Sequence, residues 1–170
     1  MSSAPDLTLP ATTPVTPDER AAVEALIRDY AFALDDGEYE RWPAFFAEQC
    51  FYQIRSRESR DQGHPLGMMY CTSAAMMRDR ISGLRRVNVF EPHRYRHVTG
   101  SPWIARLPDG TCRARTSYVL VRTMRSGEST LFSSGCYEDV ITLLESGPRF
   151  LRREVICESS QIDTLLVIPI

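Results

Sequence analysis

Apolar residues change their spacing once along this chain, and the change divides it into two kinds of structure. Val23, Leu26, Ile27, Tyr30 and Leu34 recur at intervals of three and four, which places them on one face of a helix. The start of that helix is written in Thr16-Pro17-Asp18-Glu19. Thr16 caps the first turn, Pro17 suits its first position, and Glu19 completes a capping box three residues on. Asp35-Asp36-Gly37 ends it, with Gly37 as the left-handed cap. A second short helix is expected over 38–46, turning Trp42, Phe45 and Phe46 inward. Residues 50–57 read as a strand, 58–67 as a polar loop and 68–71 as a short strand. A third helix is expected from Thr72 or Ser73 to about residue 88, burying Ala74, Met77, Ile81 and Leu84 and exposing an arginine-rich side.

Beyond residue 93 the helical spacing gives way to runs rich in Val, Ile, Tyr, Phe and Thr. Turn signals at Pro108-Asp109-Gly110, Ser126-Gly127 and Ser146-Gly147-Pro148 separate runs over 94–107, 111–125, 128–144 and 149–158. These predict four long strands in an antiparallel meander, with Gly100 and Gly135 as bulge or bend points. Helices first and a meander afterwards give an α+β fold: N-terminal helices packed on one face of a long curved antiparallel sheet. Residues 1–15, rich in Pro, Ser, Thr and Ala, read as a flexible arm ahead of one domain over 16–170. The apolar run Leu165-Leu166-Val167-Ile168-Pro169-Ile170 is expected to pack on the chain's own core or on a partner.

Composition narrows the classes of function. A chain of 170 residues with 43% hydrophobic residues is long enough to bury a core without disulfides or metal. With 22 acidic and 20 basic residues it lacks the basic excess of a dedicated nucleic-acid binder. No run approaches the roughly 18 apolar residues of a membrane span, and the first fifteen residues carry no basic and apolar leader pattern, so a cytoplasmic protein is expected. Every basic residue is Arg, the side chain suited to planar, bidentate contacts at interfaces. The five cysteines (Cys50, Cys71, Cys112, Cys136, Cys157) are odd in number and widely spaced, without a Cys-x-x-Cys pair. They read as reduced, buried thiols.

Catalytic chemistry has few footholds. A Rieske cluster needs two Cys and two His in paired short spacings, and the chain has neither Cys-x-His nor Cys-x-x-His. Cys-pair zinc sites fail likewise, and no P-loop or GxGxxG is present. His93 and His97 have metal-ligand spacing only on a helix. Pro92 and the alternation after it make a strand there, which sets them about 13 Å apart. One constellation remains for acid–base work. A curved sheet over helices makes a cone, in which Asp35, Tyr30, Tyr52, Tyr95 and His97 serve as base and hydrogen-bond donors. The other reading makes the tyrosines core residues and Asp35 a helix-end residue.

Several segments together resemble a known family: Leu34-Asp35-Asp36-Gly37, Trp42-Pro43-Ala44-Phe45-Phe46, Asp79-Arg80-Ile81-Ser82-Gly83-Leu84-Arg85, Arg94-Tyr95-Arg96-His97, Phe132-Ser133-Ser134-Gly135-Cys136-Tyr137 and Asp163-Thr164-Leu165. The chain is similar over residues 17–170 to the small (beta) subunits of Rieske non-haem iron ring-hydroxylating dioxygenases, most of all to the terephthalate type and its benzoate- and salicylate-type relatives. The resemblance implies a cystatin-like, NTF2-like cone and a structural, non-catalytic chain without cofactor. It implies a large (alpha) subunit holding the Rieske 2Fe-2S cluster, a mononuclear Fe(II) and the pocket for an aromatic acid. It further implies a hexamer of three large and three small subunits, and a reductase delivering electrons from NAD(P)H. For such a scaffold the candidate partner contacts are Arg55, Arg57, Arg94 and Arg96, with Leu165, Ile168 and Ile170 as the apolar candidates. The cone also hosts scytalone dehydratase and ketosteroid isomerase, so a stand-alone lyase or isomerase with a pocket around His97 is the alternative.

Overall fold

Thr16 opens the first helix as its sequence requires. Its hydroxyl accepts from the Glu19 backbone N–H at 3.2 Å, and the Glu19 carboxylate accepts from the Thr16 N–H at 2.9 Å. Such caps contribute about 1 kcal/mol. Helix α1 then runs over Pro17–Asp35, and Gly37 at φ 76° reverses the chain, a conformation that a side chain would strain. The computed structural model describes residues 12–65, 67–86, 92–158 and 168–170. A 3-10 helix (Tyr39–Phe45) leads into strand β1 (Phe46–Ser56), and Phe46, expected at the end of that short helix, opens the strand instead.

The 58–67 stretch, expected as a loop, begins with a short helix α2 (Arg57–Asp61). The Ser56 hydroxyl caps it by accepting from the Ser59 N–H at 3.1 Å. Five polar residues leave no apolar period to betray it. Strand β2 (Met69–Cys71) and helix α3 (Ala74–Arg86) follow, the latter burying the four residues expected.

The run expected as one strand over 94–107 is two, β3 (His93–Thr99) and β4 (Trp103–Arg106). Gly100 marks the break, donating to the Ser117 carbonyl at 2.9 Å, and Pro102 has no N–H to continue the ladder. Both pieces pair with β5 (Cys112–Met124), which pairs in turn with β6 (Ser129–Leu144), and β6 with β7 (Gly147–Cys157). The sheet order is β2-β1-β7-β6-β5-β3. One pair departs from the antiparallel expectation, since β1 lies parallel to β7. No tight turn links these two strands, so nothing in the chain forces them antiparallel.

Gly135 is not a bulge. It sits in regular register opposite Cys157, where an added Cβ would lie 1.9 Å from the Ile156 carbonyl oxygen. The irregularity in that strand comes three residues earlier on its other edge, where Phe132 is extra between Leu120↔Ser133 and Val121↔Leu131. The concave face of the sheet and the helices enclose an aromatic interior. Trp42, Tyr30, Tyr52, Tyr118, Tyr137 and Phe150 are each 2% exposed or less. Their rings meet edge-on, as Trp42 and Tyr52 do at 5.0 Å, or stacked, as Tyr118 and Tyr137 do at 4.6 Å.

Candidate functional site

Asp35 is the last residue of α1, and that helix packs on β3, which carries His97 on its inner face. His97 Nδ1 lies 2.6 Å from Asp35 Oδ1, and the His97 backbone N–H donates to both carboxylate oxygens at 3.1 and 3.0 Å. The carboxylate fixes the proton on Nδ1 and the ring's orientation. Arg96 approaches the same carboxylate from outside at 3.5 Å. Chemically this is a base oriented by an acid. Yet both side chains are 0% exposed, and His97 Nε2, the atom that would meet a substrate, is buried without a hydrogen bond.

Tyr30 and Tyr52 belong to a second group, at the last described segment of the chain. Both hydroxyls donate to the Ile170 carbonyl oxygen, at 3.1 and 2.8 Å, and the Ile170 N–H donates back to the Tyr52 hydroxyl at 3.1 Å. Burial pushes the pKa of both phenols up, well above the ordinary value for Tyr52, with Arg153 opposing the rise at Tyr30. Both therefore act as neutral donors. Tyr95 falls in a third group, stacked on Phe132 at 5.2 Å. The five residues expected to converge on one acid–base pocket are thus spread over three sets of contacts, because residues 168–170 take the hydroxyls of Tyr30 and Tyr52. Surface depressions of about 220–460 Å³ are present; Asp35 lines the one of about 460 Å³, and Tyr30, Tyr52, Tyr95 and His97 line none of them.

A fully buried ion pair was not foreseen. Arg153 Nε and Nη2 each donate to Asp139 at 2.8 Å, both side chains are 0% exposed, and the guanidinium lies over Phe150, Tyr30 and Tyr137 at 4.0–4.4 Å. Burial raises the Asp139 carboxyl, and the guanidinium opposes that rise. Two charge-assisted bonds hold the carboxylate ionised. Counting back by twos from Val155 and Cys157 puts Arg153 on the inner face, so the signal lay in strand alternation.

Of the arginines expected to meet a partner, Arg55 is engaged within the chain by Glu154 at 2.9 Å, and Arg57 pairs with Glu158. Arg94 and Arg96 are exposed, and both line a depression of about 460 Å³ with Arg85, His93 and Tyr39. Arg94 makes no ion pair among the described residues. Ile168 and Ile170, expected as apolar contacts, are 1% and 0% exposed. They turn into the chain's own core, where the aromatic interior shelters them from water, and are not available to a partner. Leu165 lies outside the described residues.

Among the described residues no group of three His, Cys, Asp or Glu is placed to hold a metal ion. All five cysteines are free and buried. Burial lifts the thiols of Cys71, Cys112 and Cys157 and pushes Cys50 to about 11, so these four are protonated at neutral pH and poor ligands or nucleophiles. No helix among the described residues is long and apolar enough to cross a membrane.

A family model described as "Ring hydroxylating beta subunit" matches residues 30–164. The chain is 39% identical over 141 residues to the anthranilate 1,2-dioxygenase small subunit of Burkholderia cepacia, covering 83% of this chain and 88% of that one. It is 36% identical over the same length to subunit beta 2 of the terephthalate 1,2-dioxygenase terminal oxygenase component of Comamonas sp, covering 83% and 92%. Among solved structures, one from Novosphingobium aromaticivorans, assigned as the beta subunit of an aromatic-ring-hydroxylating dioxygenase, superposes with a TM-score of 0.81 at 33% identity, covering 89% and 96%. A structure from the same organism, assigned as a scytalone dehydratase, superposes at 0.67 with 16% identity, covering 89% and 91%, a likeness of fold alone.

Proposed function

We propose that this chain, which belongs to the ring hydroxylating beta subunit family, is a non-catalytic scaffold of an oxygenase that attacks an aromatic carboxylic acid. As a small subunit of an aromatic-ring-hydroxylating dioxygenase it is part of an oxidoreductase of several components, and its partner is the large oxygenase subunit. In this reading the large subunit carries the Rieske 2Fe-2S cluster, the mononuclear Fe(II) and the substrate pocket. A reductase passes electrons from NAD(P)H, and three large and three small subunits assemble in the cytoplasm. The substrate class rests on two relatives, named for anthranilate and terephthalate, which share an aromatic carboxylate. The single domain expected over 16–170 stays part of this reading, but the arm expected over 1–15 is already tied down at its end: Thr13 exchanges two backbone hydrogen bonds with Arg106, at 3.0 and 2.9 Å, and Val15 packs against the core.

One observation carries the non-catalytic role. The side chains of His97 and Asp35, the best acid–base candidates, are 0% exposed and engaged with each other. A general base must reach its substrate's proton within hydrogen-bond distance, and His97 Nε2 is buried, with His97 lining none of the surface depressions described above. The lyase or isomerase alternative loses its support there. Arg94 and Arg96 remain as candidate contacts to the large subunit, because they are exposed and largely unspent.

Co-expression with the large subunit, followed by measurement of turnover of aromatic acids per bound iron, tests this reading. With His97→Ala in the small subunit, turnover per assembled complex is expected to stay within about twofold of the native value, since no interaction made only in the transition state is removed. Loss of turnover in complexes that assemble with full iron content overturns it.

A further inference from the structure

Glu138 on β6 and Glu154 on β7 stand directly opposite one another in the antiparallel ladder. Their neighbours Asp139 and Arg153 turn inward, so alternation sets both glutamates on the outer face of the sheet. Like charges in such a pair repel, and four guanidiniums gather round them. Glu154 pairs with Arg55 at 2.9 Å and with Arg152, and Glu138 pairs with Arg60 at 3.2 Å and with Arg113 at 3.9 Å. With Leu107 and Val140 these residues line a depression of about 380 Å³. We propose that this cleft is a docking site for an acidic segment of the large oxygenase subunit, whose carboxylates complete its charge balance.

Charge selects the partner. Asp139 borders the depression too, but its carboxylate is spent on Arg153, so four positive charges meet two negative ones. Among the described residues none of the four arginines pairs with a further carboxylate. Each guanidinium has five N–H donors, and each carboxylate about four acceptor sites, so hydrogens are left over. Arg55 Nε, for one, is buried without a hydrogen bond. The glutamates also lie deeper. Glu154 and Glu138 are 7% and 18% exposed, against 35% and 50% for Arg113 and Arg152, so the cleft turns its positive side outward. Its field acts accordingly: burial raises the Glu154 carboxyl, yet Arg152 and Arg55 bring it below the ordinary value.

A protein segment fits this cleft better than a free anion. Leu107 and Val140 put apolar surface beside the arginines, and Arg152 lies over the Phe51 ring at 4.7 Å. Arginine beside apolar and aromatic area is the composition that protein interfaces favour. The guanidiniums are held by the glutamates before any partner arrives, so docking has few side chains left to order. The site rests on the subunit reading and adds a second contact region to it. Arg113 stands near the start of β5, whereas Arg94 and Arg96 pair with Thr123 and Val121 near its end.

The test uses the complex with the large subunit and exploits the absence of lysine from this chain. Arg60→Lys and Arg113→Lys, made singly, each place one side-chain amine in the cleft and keep its charge. A carbodiimide joins that amine only to a carboxylate in contact with it, and mass spectrometry of the digested complex identifies the partner. Expected is a link from position 60 or 113 to an Asp or Glu of the large subunit. Arg60→Glu with Arg113→Glu sets like charges against each other and is expected to weaken association by about tenfold or more at about 0.1 M salt. The loss should shrink at about 1 M salt, where screening is nearly complete. If that double variant does not fold, the two lysine variants still decide. Assembled complexes in which neither amine joins the large subunit, or joins only another small subunit, overturn the proposal and leave the subunit reading standing. So does association that ignores the charge reversal in a folded variant. A native chain that does not assemble with the large subunit overturns both.

Discussion

Replacing Asp139 by Asn removes one charge from the interior while keeping the shape of the side chain, and the structure says what that should cost. Arg153 is 0% exposed and among the described residues has no other carboxylate within hydrogen-bond reach, both of its short bonds going to Asp139 at 2.8 Å. Its guanidinium is intrinsically too basic to lose its proton at any accessible pH, with or without the carboxylate beside it. The variant therefore leaves a cation in a low-dielectric core with only the faces of Tyr30, Tyr137 and Phe150 to stabilise it. Breaking a buried pair from one side costs about 3–5 kcal/mol, which for a chain of this size lowers the melting temperature by about 6–20 °C. Removing both charges is different. Asp139→Leu with Arg153→Met restores volume without stranding an ion, and such replacements are often neutral. Urea unfolding of the native chain, Asp139→Asn, the two single variants Asp139→Leu and Arg153→Met, and the double variant, at neutral pH and followed by circular dichroism with unchanged m-values, gives the comparison and the cycle. A loss under about 1 kcal/mol for Asp139→Asn, or a double variant that loses the sum of the single ones, refutes the argument that an uncompensated charge is what hurts.

Gly135→Ala should destabilise by about 3 kcal/mol or more, since the new methyl meets the Ile156 carbonyl oxygen, which is backbone and cannot swing aside; unfolding midpoints unchanged from the native chain would contradict this. Asp35→Ala leaves the His97 ring and backbone N–H without their acceptor and should cost about 1.5–3 kcal/mol, whereas Arg57→Ala breaks a solvent-exposed pair and should cost much less, since water screens it; equal losses in parallel melts would reject that ranking. Acid stability should depend on Glu154. Burial raises its pKa, but Arg152 and Arg55 outweigh that and hold it below the ordinary 4.5. A group lowered on folding adds stability above its unfolded pKa and loses it as pH falls through the folded one, so Glu154→Gln should flatten the decline of stability below pH 4.5; an acid limb of unchanged steepness would show that other carboxylates govern it.

How much of this was legible depends on whether a signal is local. The capping box at Thr16 and Glu19 and the inward face of α3 are contained within a few residues, and both could be read from the chain. The α+β class followed from one change of period. The split between β3 and β4 was half legible, because Gly100 announced a bend while the run around it kept its strand composition. The parallel pairing of β1 with β7 was not, since it joins residues about a hundred apart and no turn encodes it. The site shows the same division. Residue types alone picked out Asp35 and His97, and the structure joins them at 2.6 Å. They did not show that residues 168–170 would take the hydroxyls of Tyr30 and Tyr52, because an apolar tail looks the same whether it meets its own core or a neighbour's.

What fills the cone explains why one fold can serve as enzyme or scaffold. A pocket needs polar groups that face a space a substrate can enter. Here the inward-facing polar groups are largely spent on one another: Asp35 on His97, Asp139 on Arg153, and Tyr30 and Tyr52 on Ile170. Those contacts tie α1 to β3, β6 to β7, and the last described segment to α1 and β1, so they fix the curvature of the sheet. The outward face is the reverse. Val98, Trp103 and Leu131 are 58%, 53% and 67% exposed, Val98 stands opposite the exposed Val119, and Arg94 and Arg96 lie on the same strand as Val98. Rigid inside and unspent outside is what a scaffold requires, because an interface gains specificity only if the surface that carries it is held in one shape.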